Sequence, residues 1–224
     1  MKKISLKLGV MTTTVALVAM LGGVWVAATY RENGSRAVLL PDRVMTLFPE
    51  PKPLTAFALT DHENRVFDLP RLKGKWSFLF FGYTHCPDVC PTTLATLVRA
   101  KEDIVKTARG AKEVQFVFIS VDPNRDTVGM LREYVTYFDP SFLGVTGDDT
   151  QLRNLAGQFG AIFQIAATPG VKDYPVYHSA ALFLVDPQVR FHAVFTAPLD
   201  AEGISRRFDV LRELEEPKLT EPQK

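Results

Sequence analysis

The chain has 224 residues, 46% of them apolar and 23% charged, with a formal charge of +1. That length suits one ordinary domain with appendages rather than two domains. The near-neutral balance, with no Lys/Arg cluster denser than Arg206-Arg207 after the N-terminus, argues against a nucleic-acid partner, and two cysteines are too few for a disulfide-stapled framework.

Lys2, Lys3 and Lys7 precede an uncharged stretch from Leu8 to Tyr30, which ends at Arg31-Glu32. A spanning helix needs roughly 20 apolar residues, and this stretch reaches that length. Small residues at Val26-Ala27-Ala28 also offer a cleavage site of signal-peptide type. The reading adopted is a cytoplasmic N-terminus over 1–7 and a transmembrane anchor, or uncleaved signal, over 8–30. With the lysines inside, the rest of the chain is expected beyond a bacterial inner membrane, as the periplasmic part of a single-pass, membrane-anchored protein. Residues 31–53 carry Asn33-Gly34-Ser35, Pro41, Pro49, Pro51 and Pro53, and read as an extended linker.

From Leu54 the pattern becomes regular. Phe57-Ala58-Leu59 and Val66-Phe67 flank the polar turn Asp61-His62-Glu63-Asn64 and predict a hairpin. Strands follow over 76–81, 114–121, 142–145, 162–165, 180–185 and 190–195. Helices are expected over 91–108, 127–138, 149–159 and 201–215. Phe116-Val117-Phe118-Ile119 is a continuous apolar run, as expected of a strand covered on both faces. The alternation predicts an α/β domain over 54–216, a central mixed sheet flanked by helices in a thioredoxin-like arrangement, with a polar tail over 217–224.

Both cysteines lie in Gly82-Tyr83-Thr84-His85-Cys86-Pro87-Asp88-Val89-Cys90-Pro91, where a strand hands over to a helix. Backbone N–H groups at such a place favour thiolates. Thioredoxin-type redox motifs have two residues between the cysteines; here there are three. Helix positions i and i+4 share a face, so both sulfurs can point at one external atom. A redox disulfide between Cys86 and Cys90 is also within reach.

Two thiolates call for a third metal ligand. His62, in a polar turn, and His192, on a late strand, read as solvated or structural. His85 adjoins Cys86 with its side chain expected to point away, as a local electrostatic neighbour. His178 ends the segment Lys172-Asp173-Tyr174-Pro175-Val176-Tyr177 and is expected to open the strand that follows. In a thioredoxin-like fold that segment faces the cysteine motif. Two thiolates and an imidazole suit zinc or copper; outside the cytoplasm they favour Cu(I), with Cu(II) compatible.

The block 82–94 resembles the signature of the Sco/SenC family of copper-binding assembly proteins. Ser120-Val121-Asp122-Pro123-Asn124-Arg125-Asp126-Thr127 is similar too, as is His178-Ser179 leading to Leu184-Val185-Asp186-Pro187. The resemblance implies Cys86, Cys90 and His178 as copper ligands. It also implies a metallochaperone, not an enzyme, that helps assemble the CuA centre of cytochrome c oxidase. The implied partners are the oxidase's copper-containing subunit and another periplasmic copper chaperone. His85, Asp88, Asp122, Arg125 and Tyr177 are the residues expected to border the site; Asp126 reads equally well as a cap of the next helix. Tyr177 stands where the family usually has Asp, and Val128 where it tends to have Pro. Two other functions use the same cysteines: a thiol–disulfide reductase acting on the oxidase's ligand cysteines, and a copper or redox sensor.

Overall fold

The computed structural model describes residues 45–107, 114–167, 170–171 and 173–220. The elements are β1 (Met45–Pro53), β2 (Leu59–Asp61), β3 (Val66–Phe67), α1 (Leu69–Leu72), β4 (Trp76–Gly82) and α2 (Val89–Thr107). After these come β5 (Val114–Ser120), α3 (Val128–Phe138), β6 (Leu143–Thr146), α4 (Asp149–Phe159), β7 (Phe163–Ile165) and β8 (Val176–His178). The chain closes with β9 (Ala181–Val185), β10 (Arg190–Thr196) and α5 (Ala201–Thr220). Eight strands form one sheet in the order β1-β10-β9-β4-β5-β6-β2-β3, while β7 and β8 make a separate two-stranded ribbon. The central trio β4, β5 and β6 is parallel, and β9 runs antiparallel to β4, so the expected mixed sheet is present.

The apolar runs read from the sequence lie at its centre, with β4 buried along its whole length. Alternate side chains serve opposite faces. Phe78 meets Phe208 of α5 on one face, and Phe81 meets Phe159 of α4 on the other. Local chemistry sets the helix ends. Thr127 caps α3 by accepting from the Met130 N–H, and Asp148 caps α4 by accepting from Gln151. Gly160 ends α4 in the left-handed region at φ 67°, where glycine costs least.

Two hairpins use the same device. Buried Asp61 accepts from the backbone of Glu63 and Arg65 and from the side chains of Arg65 and Arg71. Buried Asp186 does the same for Gln188 and Arg190. Both carboxyls sit below their usual range; burial opposes this, and the hydrogen bonds outweigh it.

Three expectations need correction. Met45–Pro53, assigned to the linker, is a strand of the main sheet, paired with β10 and bulged between Leu47 and Lys52. An edge strand tolerates the prolines there because only one side of it needs donors. His178 does not open β9; it ends β8, outside the main sheet. The expected location in a bacterial inner membrane is also corrected: among the described residues, no helix is long and apolar enough to cross a membrane. The two longest, α2 and α5, carry charges along their length. The anchor expected over 8–30, and linker residues 31–44, lie outside the described residues.

His62 is buried rather than solvated, and its Nδ1 accepts the Gly144 N–H at 2.8 Å. Burial lowers its pKa below 6.5. The folded state therefore takes up this proton less readily than the unfolded chain, and stability falls as pH drops below about 6.5. Thermal melts between about pH 7 and about pH 5 should show that fall, and His62→Gln should remove part of it. A variant as acid-sensitive as the parent contradicts the assignment.

Candidate metal centre

Strand directions bring three loops to one end of the sheet. The segment after β4 carries the cysteines, and the segment after the parallel β5 carries Asp122 to Asp126. Because β9 is antiparallel to β4, the chain that leads into it arrives at that same end, carrying His178. Cys86, Cys90 and His178 place their donor atoms within 4.8 Å of one another, the only such cluster of three His, Cys, Asp or Glu side chains among the described residues.

The cysteines are not equivalent. Helix α2 begins at Val89, so Cys86 lies in the turn before it and is half-buried, while Cys90 lies in the first turn and is fully buried. The Cys86 sulfur accepts the Cys90 N–H at 3.4 Å, as a capping side chain would. Both are free thiols. Burial pushes the Cys90 thiol far up, and the charge of Cys86 adds to this, against one backbone N–H from Tyr83 that works the other way. Gly82 makes that burial possible. A Cβ built there would lie 2.7 Å from Cys90 Sγ and 2.7 Å from Phe118 Cε2.

His178 Nε2 is 3.4 Å from Cys90 Sγ, and Nδ1 is 3.3 Å from the Ser179 carbonyl. With the proton on Nδ1 and donated to that carbonyl, Nε2 turns its lone pair to the sulfurs. Burial lowers the imidazole's pKa, opposed by the Ser179 and Phe81 carbonyls, which keeps the ring neutral near pH 7. Phe80 and Tyr83 hold the ring edge-on at 6.0 and 5.8 Å.

The 120–127 motif supplies anchors. Asp126 is fully buried and is not a helix cap; it accepts from Thr84 N at 2.8 Å, Thr84 Oγ1 at 2.6 Å and Ser120 Oγ at 2.6 Å. It thereby ties the cysteine loop to the end of β5. The capping role falls to Thr127 because Asp126 is already committed inward. Asp122, also fully buried, accepts from Arg125 Nε at 2.5 Å and from the Tyr174 hydroxyl at 2.8 Å.

The other expected neighbours are more distant in role. His85 is exposed, with Nδ1 3.1 Å from Thr84 Oγ1 and 3.5 Å from Asp126 Oδ1. Asp88 is exposed and accepts from Thr92 at the start of α2. Tyr177 is 64% exposed, because strand alternation turns it to the face opposite His178. His192 is buried between Trp76 and Asp186, far from the cysteines in the fold. Gly82, Asp126, Tyr83 and Tyr174 matter more than the sequence reading allowed. Gly82 and Asp126 were visible there only as members of the motifs.

The sequence profile of the family described as SCO1/SenC matches residues 49–211. The chain belongs to the SCO1/SenC family. A Stutzerimonas stutzeri protein named as a candidate copper-binding protein is 37% identical over 171 residues, covering 76% of this chain and 82% of its own. The Arabidopsis thaliana ScoI structure with copper bound is 32% identical, with a TM-score of 0.64 over 72% of this chain and 98% of that one. Yeast Sco1 with copper bound is 29% identical, with a TM-score of 0.66 over 78% of this chain and 96% of that one. The pair of thiols and one imidazole in this chain is a soft donor set of the kind Cu(I) favours.

Because the Cys90 sulfur occupies the space a side chain at Gly82 would need, Gly82→Ala should cost about 1–3 kcal/mol in urea unfolding. It should also displace the sulfur and weaken metal binding by the same variant. Unchanged stability together with unchanged binding contradicts the packing argument.

Proposed function

We propose that this chain is a copper metallochaperone that takes copper between Cys86, Cys90 and His178 and helps assemble the CuA centre of cytochrome c oxidase. The observation that carries the reading is the convergence of three soft or borderline donors from two distant segments within 4.8 Å. Relatives solved with copper bound support the metal. The oxidase role follows from the family resemblance of the 82–94 and 178–187 motifs.

The residues fit cargo rather than a permanently enclosed ion. Three protein donors leave room for an incoming ligand, and a half-buried Cys86 lies on the solvent side of a fully buried Cys90. A recipient's ligand can therefore join before Cys86 departs, so the metal need not pass through water. His178, neutral near pH 7, binds without losing a proton; Cys90 must lose one first.

A second reading, thiol–disulfide exchange, draws on the difference in exposure of the two thiols. Cys86 is placed to attack a partner's disulfide, and Cys90 to resolve the mixed disulfide. Two electrons would pass to the partner, leaving a Cys86–Cys90 disulfide. That chemistry has no need of His178.

The isolated protein should bind about one copper per chain, and Cys86→Ser or Cys90→Ser should abolish it. His178→Ala should weaken it by more than the roughly tenfold to hundredfold that loss of a residue behind a ligand costs. Full retention in all three variants rejects the copper reading. A His178→Ala protein that loses copper yet keeps full activity toward the oxidase favours the exchange reading.

Copper affinity should also rise with pH, by about tenfold per unit for each proton displaced, between about pH 6 and about pH 8. The sign follows from Cys90, whose raised pKa leaves it protonated before the metal arrives. Calorimetry in buffers of different ionisation enthalpy measures the released proton directly. A pH-independent affinity with no proton release is incompatible with Cys90 as a ligand.

A further inference from the structure

Both cysteines follow directly from the central strand β4, whereas His178 is carried by the separate two-stranded ribbon. It ends β8, which among the described residues pairs only with β7, and a lone two-stranded ribbon is marginal by itself. The bonds of Ser179 to Ile162 tie that ribbon only to itself. Phe163 and Val176 bury one side of it in the core, and the Val176 backbone bonds to Tyr83 of the cysteine loop. Four planar groups add a second tie, in series. Tyr174, four residues before His178, lies against Arg125, whose guanidinium carbon is 3.7 Å from its ring centroid. Arg125 is 5.6 Å from the centroid of Tyr83, and Tyr83 meets the His178 ring edge-on at 5.8 Å.

Asp122 fastens this series at its foot. One carboxylate oxygen takes the Tyr174 hydroxyl and the other takes Arg125 Nε. The Arg125 side chain is 13% exposed, and its Nη2 is buried with no hydrogen-bond partner among the described residues. Leaving that donor unpaired costs stability. The guanidinium is therefore placed for its faces, between two aromatic rings, rather than for a full set of acceptors.

We propose that Arg125 and Tyr174 form a clamp that positions His178 against Cys90. The clamp rests on the reading of His178 as a copper ligand. Asp122 and the end of β5 are fully buried, so Tyr174 fixes the chain entering β8 while Tyr83 fixes the imidazole plane. Copper then meets an imidazole already in place, without the cost of ordering the ribbon on arrival. The clamp acts through His178 and does not touch the metal.

The test uses the copper-loaded full chain, comparing wild type with Tyr174→Ala, Tyr174→Phe and Arg125→Lys. The readouts are the imidazole-nitrogen coupling of Cu(II) in electron paramagnetic resonance and copper affinity by competition. Tyr174→Ala and Arg125→Lys should bind copper about tenfold to hundredfold more weakly and lose most of the nitrogen coupling while keeping the thiolate-to-copper absorption. Lysine keeps the charge beside Asp122 but cannot stack. Tyr174→Phe keeps the stack and loses only the Asp122 hydrogen bond, so it should retain the coupling with a smaller loss of affinity. If Tyr174→Ala does not fold, Arg125→Lys decides. Nitrogen coupling present in wild type and unchanged in Arg125→Lys overturns the clamp. A wild-type protein with thiolate absorption but no nitrogen coupling instead overturns His178 as a ligand.

Discussion

Cys90 carries its sulfur into a place almost without solvent, over the bare face of Gly82 and 3.4 Å from His178 Nε2. A negative charge there has little to compensate it. Burial pushes the thiol far up, and one backbone N–H from Tyr83 only partly offsets this. Burial likewise keeps the neighbouring imidazole neutral. The site is thus assembled as a neutral thiol beside a neutral base, and a cation is what makes the thiolate form of Cys90 favourable. Affinity for a soft metal and resistance to idle ionisation come from the same desolvation.

Placing such a sulfur correctly requires the loops around it to be fixed. Two buried carboxylates from one motif do this. Asp126 binds the cysteine loop through Thr84, and Asp122 binds the chain leading to His178 through Tyr174. They are four residues apart just after β5, a central strand of the sheet, so one buried strand end references both halves of the site. The parallel pairing of β4 with β5 and the antiparallel pairing of β4 with β9 are what bring the three segments together.

Much of this was legible in the sequence. Continuous apolar runs such as 76–81 and 116–119 marked the central strands, and the strand–helix alternation marked the mixed sheet. The cysteine spacing and the position of His178 pointed to one cluster because chain topology decides that much. Side-chain commitments inside buried turns were not legible. Asp126 looks like a cap in sequence, and only the fold shows its oxygens spent on Thr84 and Ser120. Tyr177 looked like a neighbour of the site through its adjacency to His178, but residues next to each other on a strand face opposite ways. The prolines of 49–53 suggested a tether, yet an edge strand accommodates them. The stacking of Arg125 on Tyr174 spans 49 residues of sequence, from 125 to 174, with no local signal at all.

The account is tested most directly by X-ray absorption at the copper edge on the loaded wild-type protein. Two sulfur scatterers and one imidazole nitrogen in the first coordination sphere are the result it predicts. A sphere of nitrogen and oxygen alone, or one sulfur without imidazole, would contradict it.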